Sequence, residues 1–254
     1  MRISAVALLL VLSIASMGYS QNSKLFSEAT EFYNKGEYSK AIENYEQIIA
    51  NGQHSAELYF NLGNCHYKLN AIGPSIYYYE KALLLKPGDG EILSNLKYAQ
   101  NMRLDAVEEM PRSVLTKLYD SLVNALSHDQ WAYLAIILMM LFVLFYLAYY
   151  FLRPAGKKRM AFITSILALF LGLTATVMAY LQYQAVKNDN PAIVFSKEVR
   201  ITSEPNTNSE AVFILHEGTK VSILDGLDDW RKIRIADGQT GWLKIENIKP
   251  LKDF

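Results

Sequence analysis

The segment "YFNLGNCHYKLNAIGPSIYYYEKALLLKPGD" (residues 59–89) repeats a pattern that occurs earlier in "FSEATEFYNKGEYSKAIENYEQIIANGQHSA" (residues 26–56). Matching positions lie 34 residues apart and carry similar side chains: Tyr33 and Tyr67, Ile42 and Ile76, Tyr45 and Tyr79. Each copy contains two amphipathic helical patterns. One helix pair cannot bury its apolar face alone, so the pattern predicts stacked copies with a shared core.

A 34-residue period built from paired helices is typical of tetratricopeptide (TPR) repeats. The second copy resembles that family at Tyr59, Leu62, Gly63, Tyr67, Tyr79, Ala82 and Pro87. The next segment, residues 91–105, predicts a capping helix with an apolar stripe formed by Ile92, Leu93, Leu96, Ala99 and Leu104. We therefore expect an α-helical TPR solenoid with its capping helix over residues 21–105.

The first helix of each TPR repeat lines a concave groove. By position, the predicted partner-binding residues are Phe26, Thr30, Tyr33, Asn34, Phe60, Asn64, Tyr67 and Lys68. Aromatic rings supply contact area and amides pair with a peptide backbone, so the groove suits an extended peptide. Packing of some rings between helices is the alternative. Phe60 stands where TPR domains that grip a chaperone's terminal carboxylate have lysine, which argues against that ligand.

Two apolar stretches predict a two-helix transmembrane hairpin. No Asp, Glu, Lys, Arg or His occurs over residues 131–152 or 160–185, and about 20 apolar residues cross a bilayer. We expect transmembrane helices at 131–152 and 160–182, joined by the loop "RPAGKKR" (153–159). Its cations, Arg153, Lys157, Lys158 and Arg159, predict a cytoplasmic loop. Without ionisable residues in the spans, a channel or transporter is not expected.

The regions that flank the hairpin are expected outside the cytoplasm. Residues 1–20 resemble a signal peptide, with cleavage before Gln21 or retention as an anchor. Residues 106–130 predict an amphipathic connecting helix that lies on the membrane or packs on the TPR cap. Ser127 and Gln130 form a predicted capping box. In the second span, Ala168, Gly172 and Thr176 predict close packing with the first span or with another membrane protein.

After a linker at 183–192, residues 193–254 change to short β-rich runs separated by turn signals. The stretches "LHEGTKV" and "DGQTGWL" resemble bacterial SH3-like domains, so we expect a small β-barrel. The resemblance implies roles for the turn at Gly218, for Gly241, and for Trp230 and Trp242 packed near one side. Such domains bind cell-wall peptides or partner proteins. The eukaryotic motif for proline-rich ligands is absent.

The sequence does not predict an enzyme, a cofactor site or a metal site. Four histidines, His54, His66, His128 and His216, are scattered over the chain, and no nucleophile or phosphate-loop motif occurs. The single cysteine, Cys65, is expected to be a small buried residue rather than a redox thiol. The net formal charge is zero, and no nucleic-acid partner is predicted.

The order of signal peptide, TPR array, two spans and SH3-like domain resembles the BatE family of the Bacteroides aerotolerance (Bat) operon. The resemblance implies an inner-membrane protein of Bacteroidetes with its TPR and SH3-like domains in the periplasm. It also implies a link to oxidative-stress resistance, and partners among Bat proteins with von Willebrand A domains. Two hypotheses remain: a scaffold for protein partners, or a cell-envelope sensor whose SH3-like domain binds peptidoglycan.

Overall fold

The structure is a computed structural model that describes residues 21–106, 110 and 113–253. The expected signal peptide lies outside these residues. The described chain forms two compact units. One contains the helical region up to residue 106 together with the β-rich region from residue 190 onward, and the other contains the helices between them.

The helical region consists of stacked helix pairs. Its helices are α1 (residues 21–34), α2 (Tyr38–Ala50), α3 (Ala56–Lys68), α4 (Ile72–Leu85) and α5 (Gly90–Gln100). Two of them begin at side-chain caps, because Ser55 accepts a hydrogen bond from the Leu58 amide and Asp89 accepts from those of Glu91 and Ile92. Tyr45, Tyr59 and Tyr79 are buried in one apolar cluster with the aliphatic residues of the repeats.

The cap of this array is smaller than the sequence pattern predicted. Ile92, Leu96 and Ala99 are buried as expected, whereas Leu93 is 46% exposed and Leu104 is 77% exposed. The predicted apolar stripe is too long, because α5 ends at Gln100 and Leu104 lies beyond the helix. Leu93 follows the buried Ile92 directly, and adjacent helical residues do not share a face.

The β-rich region is one antiparallel sheet of seven strands. They are β1 (Pro191–Val194), β2 (Glu198–Thr202), β3 (Ala211–His216), β4 (Lys220–Leu227), β5 (Trp230–Arg234), β6 (Thr240–Lys244) and β7 (Ile248–Pro250). The strand order is β3-β2-β6-β5-β4-β1-β7, with β3 and β7 at the two edges. The expected closed barrel is therefore not formed, because these edge strands do not pair with each other in the described sheet.

The helical and β-rich regions share a core, although the sequence treated them as separate modules. Ile193 of β1 and Leu251 are fully buried in the same apolar cluster as Ile76 and Tyr77 of α4. The ring of Phe195 meets that of Tyr77 edge-on, with 5.3 Å between centroids. The TPR region and the β-sheet are thus one folded unit.

The second unit contains α6 (Val114–Val123), α7 (His128–Phe151) and α8 (Ala155–Asn188). By length and composition, α7 and α8 could each cross a membrane. The capping box predicted at the start of α7 is confirmed, since Ser127 and Gln130 exchange side-chain and backbone hydrogen bonds. On α6, five large apolar side chains are exposed: Val114, Leu115, Leu118, Tyr119 and Leu122.

The helix ends differ from the predicted boundaries. Because α7 ends at Phe151 and α8 begins at Ala155, most of the expected 153–159 loop is helical. Arg153 precedes α8, while Lys157, Lys158 and Arg159 lie near its beginning. At the other end α8 continues to Asn188 and β1 begins at Pro191, so most of the expected 183–192 linker is also helical.

A stripe of small residues packs α8 against α7. The buried residues of α8 are Ala161, Ser165, Ala168, Gly172 and Ala175, which alternate spacings of four and three. A Cβ on Gly172 would lie 3.4 Å from the Cβ of Leu138. Thr176, predicted in this stripe, is instead exposed and donates a hydrogen bond to the Gly172 carbonyl. Its place is taken by Ala175, because this alternating spacing is that of a left-handed helix pair.

Candidate functional site

Four of the eight predicted groove residues come together around one cavity of about 270 Å³. Tyr33 is on α1, and Asn64, Tyr67 and Lys68 are on α3. Four further residues complete the lining: Tyr79, Glu91, Asn95 and Tyr98. Residues from two repeats and from the capping helix therefore face a common space, which is large enough for part of a peptide.

A hydrogen-bond network fixes the amides of this cavity. The Oδ1 atom of Asn64 accepts one bond from the Tyr79 hydroxyl, at 2.6 Å, and another from Nδ2 of Asn95, at 3.1 Å. Tyr79 is only 1% exposed, and burial raises its pKa above the usual value, so its hydroxyl remains a neutral donor. Asn64 is thus oriented from two sides.

The other four predicted groove residues do not line the cavity. Phe26 meets Tyr45 edge-on, and the hydroxyls of Thr30 and Tyr45 lie 3.1 Å apart, so both side chains contact α2. Phe60 packs against Tyr79 at a centroid distance of 5.9 Å. Asn34 is exposed near the end of α1.

The sequence prediction missed the contribution of the capping helix. Glu91, Asn95 and Tyr98 lie 34 residues after Glu57, Asn61 and Asn64. Extending the predicted groove positions by one more period reaches Tyr98 from Asn64, so the period contained the signal for this residue. Glu57 and Asn61 are not predicted groove positions, so Glu91 and Asn95 could not be found in this way. Tyr79 was predicted only as a repeat position, yet it lines the cavity and its hydroxyl bonds Asn64 there.

The cavity carries balanced charge. Of the described residues that line the cavity, Lys68 and Glu91 carry opposite charges. Burial raises the pKa of Tyr33, so its hydroxyl is neutral at physiological pH.

Cys65 is fully buried, and burial raises the pKa of its thiol to about 12. A thiolate is the reactive form of cysteine, so Cys65 is a packing residue in the folded protein.

The two predicted tryptophans share one face of the sheet. Trp230 pairs with Lys244 and Lys232 pairs with Trp242 across β5 and β6, and alternate residues of a strand point to the same side. Trp230 also lines a second cavity, of about 360 Å³, with Arg200 of β2, Glu210 just before β3, and Lys244 of β6 among its other lining residues. Trp242 does not line this cavity; it pairs with Thr202 of β2.

The two predicted glycines permit close approaches. At Gly241, an added Cβ would overlap the side chain of Ile201 on β2. Gly218 adopts φ +83°, and a Cβ there would lie 2.8 Å from Cδ1 of Ile76 on α4. Gly218 is therefore a turn residue, as predicted, and also a contact between the sheet and the TPR region. That second role was not foreseen.

Polar groups reinforce this contact. Asp105 accepts hydrogen bonds from the backbone amide of His216, at 2.7 Å, and from the Thr219 hydroxyl, at 2.6 Å; Nδ1 of His216 is 2.6 Å from its second oxygen. Burial raises the pKa of Asp105, but these bonds together outweigh it and lower the pKa below its usual value. Lys220 donates to Glu80 at 2.7 Å, and Lys81 is paired with Asp253.

His66 lies at the same junction. Its ring stacks on that of Tyr78 with centroids 5.3 Å apart, and Nε2 is buried without a hydrogen-bond partner among the described residues. Burial, assisted by the positive charge of Lys249, lowers the pKa of His66 to about 4. The imidazole is therefore neutral at physiological pH. No cluster of three or more potential metal ligands occurs within the described ranges.

Comparison with known proteins identifies two domains. Residues 196–250 match the bacterial SH3 domain family, and residues 56–89 match the tetratricopeptide repeat family. The first match covers β2 to β7, and the second covers α3 and α4 with the turn after them. The chain therefore combines a TPR region with a bacterial SH3 domain. No curated protein sequence matches it.

Among solved structures, the chain is similar to one described as the complex of the TPR2AB domain of yeast Sti1 with pHSP90. The identity is 16% and the TM-score is 0.29, with 65% of this chain and 59% of the other covered. The chain thus spans less than two thirds of that protein. The similarity is too low to transfer a ligand.

Proposed function

We propose that this protein is a membrane-anchored scaffold whose TPR groove binds an extended segment of a partner protein. One observation carries the proposal: Tyr33, Asn64 and Tyr67, which come from two successive repeats, line one cavity with Asn95 and Tyr98 of the capping helix. Aromatic and amide groups grouped in this way offer contact area and backbone hydrogen bonds. TPR and SH3 domains both serve in protein–protein interaction, which supports a binding role rather than catalysis.

The membrane anchor is the hairpin of α7 and α8. Cations near the beginning of α8 oppose the positive end of the helix dipole, so Lys157, Lys158 and Arg159 do not serve helix stability. Their location between the two apolar helices supports cytoplasmic retention of this turn. One compact unit is assembled from chain on both sides of the hairpin, which supports an even number of membrane crossings. The TPR and SH3 domains would then lie together in the periplasm.

The resemblance to the BatE family supports a biological setting for this scaffold. We place it at the inner membrane of a bacterium of the Bacteroidetes, in a Bat-type complex linked to aerotolerance and oxidative-stress resistance. Its partners would include Bat proteins with von Willebrand A domains. The TPR region supports partner binding in this setting. The proposal requires neither a cofactor nor a catalytic group.

The groove proposal can be tested by site-specific photo-cross-linking in native membranes. A photoreactive amino acid at Tyr98, which is 62% exposed and lines the cavity, should give discrete adducts. The matched control is Leu93, an exposed residue of the same helix outside the cavity lining. Changing Asn64 and Tyr67 to Ala should abolish the Tyr98 adducts. Adducts of equal intensity at Leu93, or in the double variant, would contradict the proposal.

A second candidate function is the binding of peptidoglycan by the SH3 domain. The specific observation is the cavity beside Trp230, in a region that matches the bacterial SH3 family. Ile193 of β1 and Leu251, which follows β7, are buried in the TPR core, so the test requires the full chain rather than residues 191–254 alone. Full-length protein in nanodiscs is incubated with purified sacculi. Co-sedimentation that is lost in Trp230→Ala would favour this function over the groove.

A further inference from the structure

The α3 side of the groove presents hydrogen-bond donors to a ligand, whereas the α5 side also presents the carboxylate of Glu91 and the amide oxygen of Asn95 as acceptors. Because the oxygen of Asn64 accepts bonds from both Tyr79 and Asn95, the amide nitrogen of Asn64 remains to donate to a ligand. The ammonium of Lys68 donates only, and the hydroxyls of Tyr33 and Tyr67 can donate as well. A ligand that presents backbone carbonyl oxygens to the α3 side is therefore complementary to these donors.

Three tyrosine rings come from three different helices of the groove. Tyr33 is on α1, Tyr67 is on α3 and Tyr98 is on α5. Tyr79 is buried and contributes mainly its hydroxyl. A single ligand segment that crosses the cavity can therefore contact one ring from each helix. Rings of this kind provide apolar platforms with a polar edge.

The spacing of the groove helices suits one regular peptide conformation. Neighbouring packed helices lie roughly 8–10 Å apart, and the hydrogen bond between Asn64 and Asn95 shows that α3 and α5 are in direct contact. A polyproline II helix has three residues per turn and rises about 3.1 Å per residue, or about 9 Å per turn. Every third residue of such a helix would therefore meet an equivalent position on the next groove helix.

We propose that the groove ligand is a proline-rich segment of the partner protein in the polyproline II conformation. Proline keeps a backbone carbonyl that can accept from the amide nitrogen of Asn64, and it has no N–H that would need an acceptor. Its ring packs on aromatic side chains, and its restricted backbone loses little entropy on binding. The opposite charges of Lys68 and Glu91 favour a neutral segment over a strongly acidic or basic one. This inference rests on the proposed function of the groove.

The test uses full-length protein in nanodiscs and a fluorescein-labelled peptide of about nine prolines, a length of about three turns. A peptide of equal length built from Gly, Ser and Ala is the control ligand. Fluorescence anisotropy should show binding of the proline peptide alone. Tyr67→Ala should weaken binding by about thirtyfold, as for a central interface aromatic. Tyr67→Phe, which retains the ring, should bind more tightly than Tyr67→Ala.

Trp230→Ala on the SH3 domain is the matched control variant, and it should leave binding of the proline peptide unchanged. Loss of binding in Trp230→Ala with full binding in Tyr67→Ala would move the site to the SH3 domain and overturn the inference. Equal binding of the two peptides would also overturn it. If the proline peptide fails to bind while photo-cross-links at Tyr98 persist, the proline preference is wrong and the scaffold proposal stands. Failure of both experiments would reject both.

Discussion

Gly63→Ala tests the close approach of α3 and α4 that brings the groove residues together. A Cβ at this position would lie 2.5 Å from Cδ1 and 2.6 Å from Cε1 of Tyr79. Carbon atoms in contact prefer about 3.5–4.0 Å, so the buried Tyr79 ring must move by about 1 Å. Overpacking of this kind costs about 3 kcal/mol at its upper end, and alanine regains about 1 kcal/mol of helix propensity. The expected net loss of stability is about 2 kcal/mol.

Hydrogen–deuterium exchange of the full chain in nanodiscs measures this loss locally. Amides of α3 and α4 that exchange through unfolding should do so about thirtyfold faster in Gly63→Ala, since 1.4 kcal/mol corresponds to tenfold. Gly90→Ala is the matched control, because Gly90 is also helical and an added Cβ there has no neighbour within 4 Å. Exchange should be unchanged or slower in Gly90→Ala. Unchanged protection of α3 and α4 in Gly63→Ala would refute the argument.

Three further predictions follow from single residues or a short segment. The pKa of His66 is about 4 in the folded protein against the usual 6.5, so the unfolded chain binds a proton first as the pH falls. The free energy of unfolding should therefore decline below about pH 6.5, by at most about 1.4 kcal/mol per pH unit. Urea titrations at several pH values should show a flatter decline for His66→Phe. The Cys65 thiol, with a pKa of about 12, should resist iodoacetamide at pH 8 until denaturant is added, and rapid labelling of the native protein would contradict its burial. Replacing Arg153, Lys157, Lys158 and Arg159 by Glu should abolish the activity of a periplasmic reporter fused to the C-terminus, whereas Lys-for-Arg exchanges should preserve it.

The sequence predicted those parts of the TPR region that follow from its own period. Tyr45, Tyr59 and Tyr79 are buried at repeat positions, and the close approach at Gly63 belongs to the same pattern. Of the predicted groove, Tyr33 and Tyr67 line the cavity while Phe26 does not. Period alone cannot separate these cases, because the rotation of each helix decides whether a ring faces the groove or a neighbouring helix.

The junction of the TPR and SH3 domains could not be predicted in the same way. Ile193 and Leu251 are apolar residues of the predicted β-rich region, and the sequence pattern alone cannot distinguish burial against α4 from burial inside the sheet. Asp105 and His216 lie 111 residues apart, and no repeat or motif relates them. Contacts of this kind depend on tertiary geometry. The clearest sequence signal is the pair Glu80 and Lys81 on α4, charged residues that are buried next to apolar ones and therefore require partners elsewhere in the chain.

With α7 and α8 crossing a membrane, as proposed, this junction would couple membrane topology to the stability of the folded unit. Complete burial of an aliphatic side chain contributes about 1.5–3 kcal/mol, so Ile193 and Leu251 together contribute about 3–6 kcal/mol across the junction. Small domains have total stabilities of about 5–15 kcal/mol. If only one of the two helices crossed the membrane, the TPR region would lose these contacts and Lys81 would lose its pairing with Asp253. A wrongly inserted chain is therefore expected to expose the apolar face of α4 to proteolysis, because the SH3 domain that covers this face would be on the other side of the bilayer.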